Sequence, residues 1–440
     1  MNTGDLHVPN VDFKIPNVDI NIDGYFVGPR AMEKHSKWPT FMRLHGSITP
    51  RMLLPMFIIT LWSIIVTGQE EANIIAVGVS SILLTVLGFV VGLSLSFRGS
   101  TAYERYMEGR KCWTALTVQS RNLARYIWVH VLEREGDQGK EDLMAKITAI
   151  NLIHALAVSV KHQLRFEPYT FYPDMVSLVG HLDTFAKAAE HPGLQNPKHP
   201  ISRWKEIGEC LGLNMATSNP RKAIKRSIKP VGNLPYEVML DLSAYFEMVI
   251  NNGTLSSTII YGQVLNAMAA VTDTIATANR VLATPLPIGY ATLISQVVVL
   301  YIYILPFQLF PSFGWNTIPA TMVAAYIILG LEAMGNELEI PFGNNVNDLP
   351  LNNFCDEIRR DLDVVMSSYR ADGSFVDLMK RSERVNKVLW PLSNSPQGDW
   401  KRRSKEEIRS ALKAKVVVGE TRRLSAERQS EERAVVMLPV

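Results

Sequence analysis

Residues 74 to 113 read IIAVGVSSILLTVLGFVVGLSLSFRGSTAYERYMEGRKCW, and no charged residue occurs from Ile74 to Phe97. A helix rising about 1.5 Å per residue crosses a hydrocarbon layer of roughly 30 Å in about 20 residues, so this run is long enough to span a membrane. Two rows of side chains four apart lie next to one another in it. Gly88, Gly92, Ser96 and Ser100 are small, whereas Phe89, Leu93 and Phe97 are bulky. Small residues at this spacing let helix backbones approach closely in lipid, and the bulky row then points to whatever lies beside that seam. If copies of the helix formed a ring, the bulky row would face its axis. The competing reading is an ordinary lipid-facing span, because Phe and Leu are common there and GxxxG arises often by chance.

The residues after Phe97 add a pattern of another kind. Phe97-Arg98, Ala102-Tyr103, Arg105, Glu108, Arg110 and Trp113 stand at fixed spacings. Further along come Pro285 and Pro287 with Tyr290, then Leu305-Pro306-Phe307, then ELEIPFGNNVNDLPL from Glu337 to Leu351. Together these resemble the bestrophins and their bacterial, fungal and plant relatives, over about residues 45 to 365 and more loosely from about 130 to 280. The resemblance implies an all-α, four-span membrane subunit with a large helical cytosolic domain, assembled as a ring, a pentamer, around one axial pore. In it Phe89, Leu93 and Phe97 would form an apolar neck packed by Gly88, Gly92 and Ser96, with Arg98, Tyr103, Arg105, Arg110 and Trp113 as the family signature. It also implies a second constriction at the cytosolic exit, which counting back from Tyr290 places at Ile259. A core isoleucine of an amphipathic helix fits the same periodicity. Tyr106 and Met107 stand where paired tryptophans are common in the family, and Gly99 where Asn is usual.

With 440 residues, three cysteines and a formal charge of +3, the chain is long enough for a membrane domain plus a substantial aqueous one. Cys112, Cys210 and Cys355 lie far apart without metal-ligand spacing and read as structural thiols. No basic n-region precedes an apolar h-region, so no cleaved signal is expected. Residues 1–44 form a polar, proline-punctuated arm. Residues 45–97 hold a first hairpin with spans at about 52–68 and 74–97, Pro55 falling in the opening turn of the first. A cytosolic helical domain is expected over 98–288, where no uncharged stretch is long enough to cross. A second hairpin follows over 289–335, then an extension over 336–395 packing on the domain, then a mixed-charge tail over 396–440, a loose helix or a disordered segment. Arg43 and Arg51 precede the first span, while Arg98, Arg105, Arg110, Lys111, Arg121 and Arg125 follow the second. The positive-inside rule therefore puts both ends of that hairpin, and both termini, in the cytosol. Gln296, Gln308 and Glu332 lie inside the second hairpin, and such residues usually face protein or water.

Continuing the second span at about 100° per residue puts Thr101, Glu104 and Glu108 nearly below Phe97, with Arg98 and Arg105 turned about 80° to 100° away. A straight helix would show these carboxylates to a pore and favour cations, as in some bacterial bestrophins. Alternatively Glu104, Arg105, Glu108 and Arg110 bind one another and neighbouring helices in a network below the membrane. Animal and plant bestrophins mostly pass chloride and other anions, so the resemblance sets the expectation at passive chloride conduction. Cation conduction by the same fold, or a carrier, are the alternatives. The run PFGNNVND from Pro341 aligns with the calcium clasp of the animal family, but only Asp348 in it is acidic. Calcium takes about six to eight oxygens. Asn345 and Asp348 would make a weak calcium site at most, unless Glu337, Glu339 or carbonyls of a neighbouring subunit complete it. The other reading is a turn in which Asn347-Asp348 cap the helix that follows Leu349-Pro350.

No P-loop, GxSxG, HExxH or paired Cys-x-x-Cys occurs, and His154, His162 and His181 stand singly, so neither an enzyme nor a catalytic residue is expected. The expected partners are further copies of the chain, the lipid bilayer and permeant ions, with no nucleic acid and no certain cofactor. A carrier commonly shows internal repeats with broken helices, which the two hairpins lack.

Overall fold

The computed structural model describes residues 46–72, 81–190, 230–367, 375–390 and 392–417. The arm over 1–44, the start of the second span at 74–80, Cys210 and the tail beyond 417 therefore lie outside the described residues. Among those described, every regular element is helical. They fall into two compact units that divide after Ser367.

The first span is α1 (Thr49–Glu71), which overruns the expected 52–68 at both ends. Because it starts at Thr49, Pro50 occupies the first turn, where a missing N–H costs nothing, and Pro55 falls inside the helix, not in its opening turn. The second span is the first part of α2 (Ser81–Arg125), a single helix of 45 residues that ends in a π-helical turn, Tyr126–His130. At about 1.5 Å per residue it is roughly 68 Å long, twice what a bilayer core needs. The boundary expected at residue 98 is thus no break, and one rod serves both the membrane and the aqueous domain.

The aqueous domain adds α3 (Asp137–Leu164), α4 (Pro173–Val179), α5 (Phe185–Ala188), α6 (Leu234–Asn251) and α7 (Thr258–Ala283). Two further spans follow, α8 (Ile288–Phe313) and α9 (Thr317–Leu338), joined by a tight turn over Gly314–Asn316 in which Gly314 takes φ +52°. The unit closes with α10 (Leu351–Ser367). The second unit contains α11 (Phe375–Ser382) and α12 (Gln397–Lys401), where Gln397 N donates to Asn386 O at 2.7 Å and Lys401 pairs with Glu383 at 3.5 Å.

By length and composition α3 is also apolar enough to cross a membrane, but 61% of its apolar window is buried against 22–28% for the other such helices. It carries buried Asp142, Lys146, Lys161 and His162 and packs against α4, α6 and α10. We therefore assign α3 to the core of the aqueous domain. Its polar groups are partnered: Asp142 receives Arg134, Lys146 pairs with Glu133 at 2.7 Å, and the ring nitrogens of His162 lie 2.7 Å from Glu167 and 3.0 Å from Asp174. Burial, with the neighbouring Glu108 adding to it, pushes the Cys112 thiol up to about 11, and burial pushes Cys355 up to about 12. Both then stay protonated, as structural thiols should.

In the membrane, α8 and α9 each pack on both α1 and α2, whereas α1 and α2 scarcely touch. Spans consecutive in sequence thus flank the second pair, and α2 is left at one edge of the subunit. Ile59, Val91, Leu95, Ile294, Val298, Ile302 and Ala325 form the apolar seam. Pro306 cannot donate to the carbonyl one turn back and its ring disturbs that turn of α8. The indole of Trp62 donates to the adjacent Tyr303 carbonyl at 3.0 Å, a partner that lipid could not supply.

Where α2 leaves the membrane, a Cβ on Gly109 would lie 3.0 Å from the Phe342 ring and 3.2 Å from Leu349 Cδ1. Gly109→Val should cost about 1–3 kcal/mol through overpacking. The melting temperature of purified protein should fall clearly, while Gly262→Ala, with nothing within 4 Å, leaves it in place.

Candidate functional site

The helical period of α2 sorts its side chains into two faces. Leu84, Val91, Leu95, Arg98 and Ala102 are buried, against the packed helices α8 and α9. Phe89, Leu93 and Phe97 lie on the opposite side and are 71%, 46% and 58% exposed in the single chain. Of the small row, Gly88 admits Tyr301, whose hydroxyl would sit 3.3 Å from an added Cβ. Gly92 and Ser96, together with Gly88, line an apolar groove of about 470 Å³ shared with Ile328, Leu331, Met334 and Gly335 of α9.

Directly after Phe97, Arg98 turns inward and is 3% exposed. Its guanidinium donates to Asn336 Oδ1, with Glu332 Oε1 at 3.7 Å and Glu339 Oε2 at 3.9 Å. Ser295 donates to Glu332, and Leu286 N donates to Glu339 Oε1 at 3.0 Å. The intramembrane carboxylate noted at Glu332 therefore faces protein, as part of a buried polar cluster that ties α2 to α8 and α9. Gln296 is exposed and Gln308 half-buried.

Arg105, Arg110 and Trp113 of the signature dock α2 on neighbouring elements. The guanidinium of Arg105 donates to the carbonyls of Val281 (2.5 Å), Thr284 and Glu339 (3.2 Å), satisfying acceptors left over at the C-terminus of α7. Arg110 lies 4.1 Å above the Phe354 ring of α10, and Trp113 packs on the same ring at 5.9 Å. Tyr103 is 55% exposed. Of the network that the sequence left open, Arg105, Glu108 and Arg110 bind neighbouring helices but not one another. Thr101 donates its hydroxyl back to Phe97 O at 2.9 Å, Glu104 is exposed with no hydrogen bond or ion pair to any described residue, and Glu108 pairs with Arg280 of α7. Sequence reading missed Arg280 and Phe354, which lie far along the chain from α2.

Ile259 stands in the first turn of α7, behind the N-cap Ser257, and is 78% exposed. The core-isoleucine reading is thereby excluded for the single chain. In the loop after α9, Asp348 is buried and turned inward, its Oδ2 accepting from Asn345 N at 2.7 Å. It closes the turn before it instead of capping α10. Burial, reinforced by Glu337, raises its pKa above the usual carboxylate value. The Arg51 guanidinium donates to Asn345 Oδ1 at 3.3 Å and pairs with Glu337 at 3.4 Å, so a cation already faces the oxygens of this loop. With one committed carboxylate and an arginine across it, the donor set does not fit calcium.

These features define a helical membrane protein whose second span continues as a strut into an aqueous helical domain. Residues 30–364 match the family model described as bacterial/fungal bestrophin protein. A voltage-dependent anion channel-forming protein of Nostoc sp. is 30% identical over 327 residues, covering 74% of this chain and 90% of that one. One of Synechocystis sp. is 29% identical over 278 residues, 63% and 75% of the two chains. The fold is similar to a crystal structure of a bacterial bestrophin homologue from Klebsiella pneumoniae, with TM-score 0.53 and 23% identity over 72% of this chain and 99% of that one. The chain belongs to the bacterial and fungal bestrophin family, and it is an integral membrane protein.

Arg98→Met would leave buried carboxylates without their cation, at a cost of about 3–5 kcal/mol. Little assembled protein should be recovered, and adding Glu332→Gln should restore part of the melting temperature. In the loop, Asp348→Ala should cost about 1–3 kcal/mol by orphaning its donor, Asp348→Asn less, and added calcium should shift the melting of neither variant nor the parent.

Proposed function

We propose that this chain is an anion channel of bestrophin type, passing chloride passively through one axial pore in a ring of five subunits. The observation that carries this reading is the two-faced α2 at the subunit's edge, holding its own subunit with one face and presenting Phe89, Leu93 and Phe97 on the other. One four-span subunit has little room to enclose a water path, whereas heterologous contacts that close on themselves bring one face of every copy to a common axis. There the three residues form stacked apolar collars, a constriction that gates by dewetting. The positive edges of the two Phe rings lower the barrier to a dehydrating anion. Gly92 and Ser96 leave room at the flank for close helix approach. Thr101 and Glu104 follow beneath the neck, and Ile259, exposed at the far end of α7, narrows the exit.

The names of the Nostoc and Synechocystis relatives, both voltage-dependent anion channel-forming proteins, support the ion class. The basic residues at the outer ends of α1 and of the α2 span support cytosolic placement of both termini. Transport on this reading is passive and needs no catalytic chemistry or metal. The exposed carboxylate of Glu104 favours a second reading, cation conduction by the same fold.

Purified protein in planar bilayers should give unitary current steps that reverse near the chloride equilibrium potential in asymmetric salt. Replacing Phe89, Leu93 and Phe97 together by alanine should hold the channel open. Saturable flux without unitary steps would make the protein a carrier, and unchanged gating in the triple variant would reject the neck.

A further inference from the structure

Ile259, Asn266, Asp273 and Arg280 stand seven apart on α7, and all four are exposed in the subunit. Residues seven apart on an α-helix drift only about 20° per repeat, so the four share one face along nearly the whole helix. At its upper end Arg280 pairs with Glu108, which lies about 20° from the Phe97 direction on α2. The stripe that begins beneath the neck therefore ends at Ile259, the residue proposed for the exit. The face of α2 below Phe97 and this face of α7 make one wall, carrying Glu104, Glu108 and Asp273 against Lys111 and Arg280.

That wall has one net negative charge per subunit, a poor lining for an anion path, and its balance depends on few groups. Glu104 has no partner among the described residues, whereas the Glu108 carboxylate is held by a guanidinium. Resting on the pore reading above, we infer that Arg280 is a selectivity-determining residue: it neutralises Glu108 at the vestibule wall and leaves Glu104 and Asp273 as the carboxylates that passing ions meet. The side chains of Arg280 and Glu108 are 63% and 38% exposed, and a pair so exposed contributes little to stability, so its charges are felt mainly by ions in the passage.

The test is the reversal potential of the full chain in planar bilayers under asymmetric potassium chloride. One unit charge per subunit, taken at about 10 Å from the axis of a five-fold ring and screened at physiological salt, shifts chloride and potassium by about threefold each in opposite senses, roughly a sevenfold change in the chloride-to-potassium permeability ratio. Arg280→Gln should lower the ratio by about that factor, and Glu104→Gln and Glu108→Gln should each raise it. Glu108→Gln with Arg280→Gln should return it to the parent value, as should the exchange Glu108→Arg with Arg280→Glu. If Arg280→Gln does not assemble, Glu108→Gln, which leaves the Arg280 charge uncompensated, still decides the matter. Persistent currents with reversal potentials unmoved in Arg280→Gln and in Glu108→Gln would overturn the inference. Absent unitary currents in the parent, or a neck indifferent to alanine, would instead overturn the pore reading beneath it.

Discussion

One unbroken helix, α2, runs through the bilayer and on into water, and its hydrogen-bonded backbone fixes the direction of every side chain along it. Each residue turns about 100° from the one before, so the orientation of one position dictates that of the others. Arg98 points inward because its charge finds carboxylates and an amide on α9, and Phe97, one residue earlier, must then point away. Downstream the same rotation brings Arg105 to the end of α7, Gly109 to the Phe342 loop, and Arg110 and Trp113 to Phe354. A kink in this rod would decouple the direction of Phe97 from the docks below it.

The cluster around Arg98 sits where charge is costly. Taking a guanidinium and two carboxylates out of water is offset only in part here: Ser295, Asn336 and Leu286 N meet some of the donors and acceptors, while Arg98 Nε and Nη1 are held by charge alone, with no hydrogen bond to a described residue. Such a cluster adds little net stability but has few alternative arrangements, so it fixes the register of α2 against α9. Close packing serves the same end without charge at Gly109, and Trp62 steadies the proline turn of α8. Arg98, Arg105, Arg110 and Trp113 of the signature thus dock α2 on its neighbours, while Phe89, Leu93 and Phe97 are left outward.

The span, the adjacent small and bulky rows on α2 and the family were legible in the sequence, because each depends on spacing along one helix. The period set the two rows side by side, but the outward direction of Phe89, Leu93 and Phe97 is shown by the packing of α8 and α9 on the other face of α2. Partners distant in the chain were not legible: Glu108 meets Arg280 across 172 positions, and no local pattern ties an exposed arginine at the end of α7 to a glutamate on α2. The separation of α1 from α2 was hidden for a like reason, since a short link suggests a packed hairpin although two later helices come between. Asp348 looked like a cap for the helix after it, yet the turn before it offered the nearer donor, Asn345 N. The small row was half legible, with Gly88 serving a contact inside the subunit and Gly92 and Ser96 left open at its flank.

The family places the fold and the class, while the ring and its collar rest on geometry within one subunit. Single-particle imaging of the purified assembly in lipid nanodiscs addresses that step directly. The account predicts a closed ring of five copies with Phe89, Leu93 and Phe97 nearest the symmetry axis and the face bearing Val91 and Arg98 turned from it. An assembly without a central passage, or with those three side chains directed into lipid, would contradict it.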